Sequence, residues 1–538
     1  MRRNINGLGA ILAAVAMFAG SMPRASAEDL SPAARQWWAD IDAIADDANE
    51  GRLTGSPGYM RAARHVIARM RAEGLQPAGT KGYLQPIAFE SQVVDQAASR
   101  MVLTGADGGR DALVVGQDAL IAAGGARRPA QVSAPLVFIG YGLHLPALGY
   151  DDFAGHDLKG KIAVVISGGP SSLPGPAKSN ARFARARELA GRGAVGMIAL
   201  TTPKQVEIPW ARLKLLSSQS GMYLAERAMR DTPDNFLLAS LSPEQSERLF
   251  KGSGHSFADL AALADTSAAV PGFDLAQRLE ATVTASHQSV TSPNIVARLP
   301  GRDPVLARQA LVISAHLDHL GIGQPINGKR IYSGAMDDAS GVASVLDIAH
   351  RLATGKRPRR SVLFVIVTAE EKGLLGSHYF AMRPTVPARS IVADLNFDMA
   401  LPFWPLRSVT AIGEGESTLG ADARAVAGAQ GLALSPDPLP DRNTFIRTDL
   451  FSFVRQGIPG LGFKFGFAAG TPEFAIEHDW RATHYHSPAD DLNQPGVLKE
   501  DAARLDGYVA DLARRVADAR TRPQWAQTSV FRPGAAPK

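Results

Sequence analysis

Five stretches in the second half of this chain place metal-ligating side chains where an apolar run stops. His316 and Asp318 follow the run ALVISA, Asp337 and Asp338 sit in GAMDDASG, and Glu370 and Glu371 end VLFVIVTAEE. Asp398 closes IVADLNFD, and His486 lies in HYHSPADDL. Positions 316 and 318 share a face of an extended chain, so His316 can ligate a cation while Asp318 fixes its ring from behind. A carboxylate such as Asp337 has two oxygens and can bridge two cations; acids also suit the start of a helix, which GAMDDASG opens. Adjacent acids after a buried strand repel unless cations or protons offset them. One of Glu370 and Glu371 can then ligate while its neighbour acts as general base toward a water. His478 and His484 compete with His486 for the nitrogen role, but neither is followed by its Ser-Pro.

Together His316, Asp337, Glu371, Asp398 and His486 make a nitrogen and oxygen set without sulfur. That set suits a binuclear zinc site, with cobalt or manganese as substitutes. Other chemistries are not written here. No G-x-S-x-G elbow ends a strand, since GHSFADL and GESTLG depart from it. Phosphate-binding and dinucleotide-binding glycine patterns are absent. The chain has no cysteine, so thiolate ligands, thiol nucleophiles and disulfides are excluded.

The elements that must carry these residues read as an α/β fold. Leu311 to Ala315 and Val362 to Thr368 have the length and Val/Ile content of strands buried on both faces of a parallel sheet. SGVASVLDIAH between them supplies the helical crossover. Upstream, Ser31-Pro32 starts a helix, Gly51 to Tyr59 reads as a loop, and Met60 to Glu73 as an amphipathic helix stopped by Gly74. GYLQPIAFE and SRMVLTG alternate as strands do, and LSPEQSERLF reads as a capped helix. From about Ser133 the texture becomes strand, turn, strand, helix, strand, with few histidines or paired acids. No period of 20–50 residues repeats, which excludes a solenoid.

At 538 residues the chain exceeds one compact core, so two or more domains are expected. Arg2 and Arg3, the apolar stretch Leu8 to Ala19 and Ala25-Ser26-Ala27 form a cleavable export signal. No later run reaches the ~18 apolar residues of a membrane span. The expectation is an exported chain starting near Glu28, periplasmic or extracellular. Three of the 57 basic residues and none of the 52 acids lie in 1–27, leaving the exported chain near neutral. That balance points to neither nucleic acid nor an anionic membrane as partner.

The motifs SAHLDHLG, SGAMDDASG, AEEKGLLGS, NFDM and YHSPADDL resemble those of the clan MH metallopeptidases, the family of aminopeptidase Y, bacterial two-zinc leucyl aminopeptidases and glutamate carboxypeptidase. The resemblance covers Pro293–Leu492 strongly and Asp40–Gly74 weakly. It implies Asp337 as the bridging ligand, His316 and Asp398 completing one zinc, and Glu371 and His486 the other. Glu370 would be the general base and Asp318 the support for His316. The implied fold is a mostly parallel mixed sheet flanked by helices, and the implied substrates are peptides with a free N-terminus. GYGL followed by GYDDFAGHDLKGKIAVV resembles the β-rich protease-associated domain inserted in several secreted peptidases. The expected division is a signal at 1–27, peptidase segments at 28–132 and 286–525, the insert at 133–285, and a tail at 526–538. In RTDLFSFVRQGIPGLGF, Leu450 stands where relatives carry histidine, and Asp338 stands where many carry Asn. A carboxypeptidase, for which Arg442 and Arg447 offer cations, is the main alternative. A glutaminyl cyclase and a non-catalytic binding protein are further rivals.

Overall fold

The computed structural model describes residues 30–206, 208–442 and 444–534; the export signal lies outside the described residues. Among these residues, no helix is long and apolar enough to cross a membrane. The larger of two sheets is mixed. Its strands lie in the order Gly221–Leu224, Leu84–Val94, Ala285–Leu299, Ser361–Val367, Ala310–His316, Ile391–Phe397, Gly460–Phe465, Ser408–Ile412 and Ala433–Ser435. The four strands from Ser361–Val367 to Gly460–Phe465 run parallel. Every residue of Ala310–His316, Ser361–Val367 and Ile391–Phe397 is buried, which is why these segments read as unbroken apolar runs.

Helices cover both faces. Leu311, Ile313 and Ala315 pack with Ile41, Leu346 and Leu512 from the helices Pro32–Ala45, Ser340–Thr354 and Lys499–Asp518. Val312 and Val365 face the other way, toward Phe380 and Phe453. The crossover helix is Ser340–Thr354, as its sequence requires.

Two helices differ from expectation. The second begins at Pro57 rather than Met60. Ser56 Oγ accepts the Tyr59 N–H at 3.1 Å and Pro57 occupies the first turn, so the Pro and Gly of a loop-like stretch instead start a helix. LSPEQSERLF does not form a capped α-helix. It ends the strand Leu237–Leu241 and continues as the 3-10 helix Pro243–Phe250, where Ser242 makes no capping bond.

The second sheet is built from Arg110–Leu113, Arg100–Thr104, Gly272–Thr282, Gln131–Ile139, Ile162–Ile166, Gly196–Leu200, Leu237–Leu241 and Ala119–Ile121, in that order. It therefore draws on strands that precede residue 133. The long partners Leu84–Val94 and Ala285–Leu299 lead the chain out and back side by side, and Asp95 N–H meets the Thr284 carbonyl at 2.9 Å. Gly221–Leu224 departs from the second sheet to pair with Leu84–Val94 on the first.

The Ser56 cap gives a test of where the second helix starts. Ser56→Ala is expected to destabilise the protein by about 1 kcal/mol, read as a lowered denaturant midpoint. No change would mean that Ser56 caps nothing.

Candidate metal centre

The named side chains converge because parallel strands end together. His316 is the last residue of its strand, Glu370 and Glu371 lie just beyond Val367 on the neighbouring strand, and Asp398 follows Phe397 on the other neighbour. The loop before Ser340–Thr354 brings Asp337 and Asp338 over these ends. It turns at Gly334 (φ 59°), where a Cβ would lie 2.2 Å from the Asp337 carbonyl oxygen. His486 enters from the loop after the helix Pro472–Thr483.

Asp337 stands between the imidazoles. Its Oδ1 is 3.3 Å from His316 Nε2, and its Oδ2 is 3.4 Å from His486 Nε2. His486 Nε2 is also 3.1 Å from Glu371 Oε2. Potential ligand atoms of His316, Asp337 and Asp398 lie within 4.8 Å of one another. The same holds for His319, Asp337 and Glu371. Several buried atoms here have no hydrogen-bond partner among the described residues: His316 Nε2, both ring nitrogens of His319, Asp337 Oδ2, Glu371 Oε1 and Asp398 Oδ1. Buried polar atoms are nearly always paired, so their convergence fits divalent cations, and the donor set fits zinc.

Backbone and side-chain bonds hold the donors. His316 Nδ1 lies 3.1 Å from the Asp318 main-chain carbonyl, which directs the free Nε2 toward Asp337. The Asp318 carboxylate itself points elsewhere, accepting from Thr54 Oγ1 at 2.9 Å and from Glu370 N–H at 3.0 Å. Asp338 accepts from Gly341 N–H and Met399 N–H, both at 3.1 Å, joining the helix start to the end of the Asp398 strand. Asp490 takes the N–H groups of Met336 and Asp337 at 2.9 and 3.0 Å. Lys464 Nζ donates to the carbonyls of Asp398 and Met399 at 2.9 and 3.2 Å.

The electrostatics separate the adjacent glutamates. Burial would discharge every group here. At His316 the carboxylates of Glu370, Asp337 and Asp338 outweigh burial and hold the ring's pKa well above the ordinary value. Asp337 is held well below the carboxylate range because His316 and His486 outweigh its burial. Burial likewise opposes ionisation of Glu371, but His486 and His319 lower it. Glu370 goes the other way: burial, with Glu371 and Asp398 nearby, raises it well above an ordinary glutamate despite the pull of His316. Glu370 lines a small cavity with Asp337, Asp398, His486, Arg442 and Arg447.

Residues 294–505 match the sequence profile of peptidase family M28. This stretch is an M28 peptidase domain. A probable leucine aminopeptidase 2 from Aspergillus oryzae is 32% identical over 253 residues, covering 43% of this chain and 47% of that protein. The leupeptin-inactivating enzyme 1 of Streptomyces exfoliatus is 34% identical over 118 residues, 22% of this chain and 24% of that one. The matched part spans under half the length of these curated relatives. Among solved structures, an aminopeptidase from Aneurinibacillus sp. strain AM-1 shares the fold, with a TM-score of 0.52, 19% identity, and coverage of 91% of this chain and 95% of that one.

Within the M28 domain, the five residues expected to bind metal all reach one cluster. His478 is instead exposed and pairs with Asp479, while His484 stacks on Trp480 and meets Thr483. Leu450, in the place of a histidine, is fully buried in an apolar cluster with Ile412 and Phe445. Two residues are not evident from sequence. His319 is the second imidazole of HLDHLG; strand alternation would put it opposite His316, but the strand ends at His316 and the chain turns. Asp490, the first acid after HSPA, resembles surface charge yet is fully buried.

Arg52 underlies both loops. Its buried guanidinium donates to the carbonyls of Leu317 at 2.7 Å, Gly334 at 3.0 Å, and Ser333. Arg52→Ala would leave these acceptors buried and unmatched. The expected cost is about 3 kcal/mol or more, measured by chemical denaturation; a change below about 1 kcal/mol would contradict the arrangement.

Proposed function

We propose that this chain is an exported two-zinc aminopeptidase removing N-terminal residues from peptides. The observation that carries the reading is the set of partnerless buried donors gathered on both sides of Asp337. His316 and Asp398 would hold one zinc and Glu371 and His486 the other, with Asp337 between them. When bound, such cations acidify a water and polarise a carbonyl. Glu370 has the role of general base: its place on the cavity beside Asp337 and Asp398 lets it accept a proton from the attacking water and return it to the leaving amine. Asp318 fixes the Glu370 main chain and, through its carbonyl, the His316 ring.

An adjoining narrow pocket is lined by Leu401, Trp404, Ile412, Phe465 and Phe467, and it shares Met399 and Lys464 with the cavity. Its apolar lining suits an apolar side chain of the first residue. A carboxypeptidase reading draws on a different observation: Arg442, Arg447 and Arg481 line the same cavity and could face a substrate carboxylate. Blocking the amine separates the two readings.

We infer that the second sheet is the inserted protease-associated module, read from sequence as 133–285. Lys204, Trp210 and Leu213 from its side and Leu439, Arg442 and Arg447 from the M28 domain line a groove of about 840 Å³. Arg212 joins the two parts by donating to the carbonyls of Ala482 and Tyr485 at 2.6 and 3.0 Å. In this reading the module narrows access to the cleft and restricts peptide length.

The purified mature chain is expected to hydrolyse leucyl and phenylalanyl anilides but not their N-acetyl forms. Activity should vanish with a chelator and return with zinc. Hydrolysis of N-blocked peptides from the C-terminus would instead establish the carboxypeptidase. Glu370→Gln should keep bound zinc and lower kcat at least ~100-fold; unchanged turnover with retained metal would remove Glu370 from the mechanism.

A further inference from the structure

We propose that His319 is itself a zinc ligand on the Glu371 side, so that three imidazoles rather than two serve the metal pair. This rests on the two-zinc reading above and goes beyond the five ligands named from sequence.

His319 is fully buried, and neither ring nitrogen has a hydrogen-bond partner among the described residues. Other buried rings contrast with it. His316 Nδ1 is matched by the Asp318 carbonyl at 3.1 Å, and His378 Nε2 by the Met229 carbonyl at 2.9 Å. A buried imidazole nitrogen without a partner carries a desolvation cost, and a cation at Nδ1 would relieve it at that nitrogen.

The placement is that of a ligand. His319 Nδ1 lies 2.7 Å from Glu371 Oε1 and 3.9 Å from Asp337 Oδ2. Zinc bonds of roughly 2.0–2.2 Å set tetrahedral donors about 3.4 Å apart. Around the Glu371 side the donor separations are 2.7, 3.1, 3.4 and 3.9 Å, which bracket that spacing. The close approach of Nδ1 to Glu371 sets it beside a proposed ligand, on the side of the cluster that faces Asp337. The ring is also held in place. Its backbone N–H donates to the Arg52 carbonyl at 3.2 Å, and a Cβ at Gly334 would lie 2.6 Å from the His319 Cγ. The consequence is a pair of unequal metal positions. One would be held by His319, His486, Glu371 and Asp337, the other by His316, Asp398 and Asp337, and the nitrogen-richer position would retain zinc more tightly.

Zinc titration of the chelator-treated full chain, in competition with a chromophoric chelator, tests this without using activity. Wild type should take up two zinc ions in two steps of unequal affinity. His319→Asn should weaken the tighter step at least ~10-fold and leave the weaker one in place. Zinc X-ray absorption of the loaded wild type provides a second measure that does not depend on the variant folding, and three imidazoles for two zinc ions are expected. Two imidazoles, or unchanged affinity of both steps in His319→Asn, would overturn the assignment while leaving the two-zinc reading intact. Failure of the wild type to bind zinc would overturn both.

Discussion

Asp337 turns one oxygen to His316 and the other to His486 and His319, and much of the M28 domain serves to keep it there. Ionised carboxylates taken from water cost several kcal/mol each unless matched by charge or donors. Asp337, Glu371 and Asp398 meet at one sheet edge with oxygens that have no hydrogen-bond partner among the described residues. The strong cations nearby do not relieve them directly. Lys464 and Arg52 face main-chain carbonyls. What remains for the carboxylates is imidazole and, on the proposed reading, metal.

Three acids that are not among the proposed ligands give the centre its shape. Asp490 anchors the Asp337 loop, Asp338 ties the helix start to the strand carrying Asp398, and Asp318 holds the Glu370 backbone. Each accepts backbone N–H groups that would otherwise be buried unpaired. The same polar atoms therefore satisfy the loops and fix the donors. A neutral Asn could accept in their place but would remove charge, so the local field depends on these residues as well.

The second sheet meets the M28 domain through continuous strands rather than a loose linker. Leu84–Val94 and Ala285–Leu299 belong to the larger sheet and lead directly into it, while Gly221–Leu224 returns to the larger sheet's edge. Arg212 adds a contact at the end of the helix that precedes His486. On the proposed reading, the wall of the substrate groove is thereby tied to the loop that supplies a ligand.

Much of this arrangement is legible from the chain itself. Unbroken Val and Ile runs identify buried parallel strands because both faces of such strands are covered, and a parallel sheet brings its carboxyl ends to one edge. His316, Asp337, Glu371, Asp398 and His486 can therefore be grouped from sequence although they are 170 positions apart at the extremes. Local rules fail where a contact outside the segment, or a cap that resembles a loop, decides the outcome. Ser56 converts a Gly- and Pro-containing stretch into a helix start, and Asp318 supports His316 by its carbonyl rather than its carboxylate. The residue types and their order determined which chemistry this chain could perform. Only the folded structure decided that His319 joins the cluster and that Asp490 is buried beneath it, because a side chain's direction beyond a strand end is set by packing against distant segments rather than by periodicity.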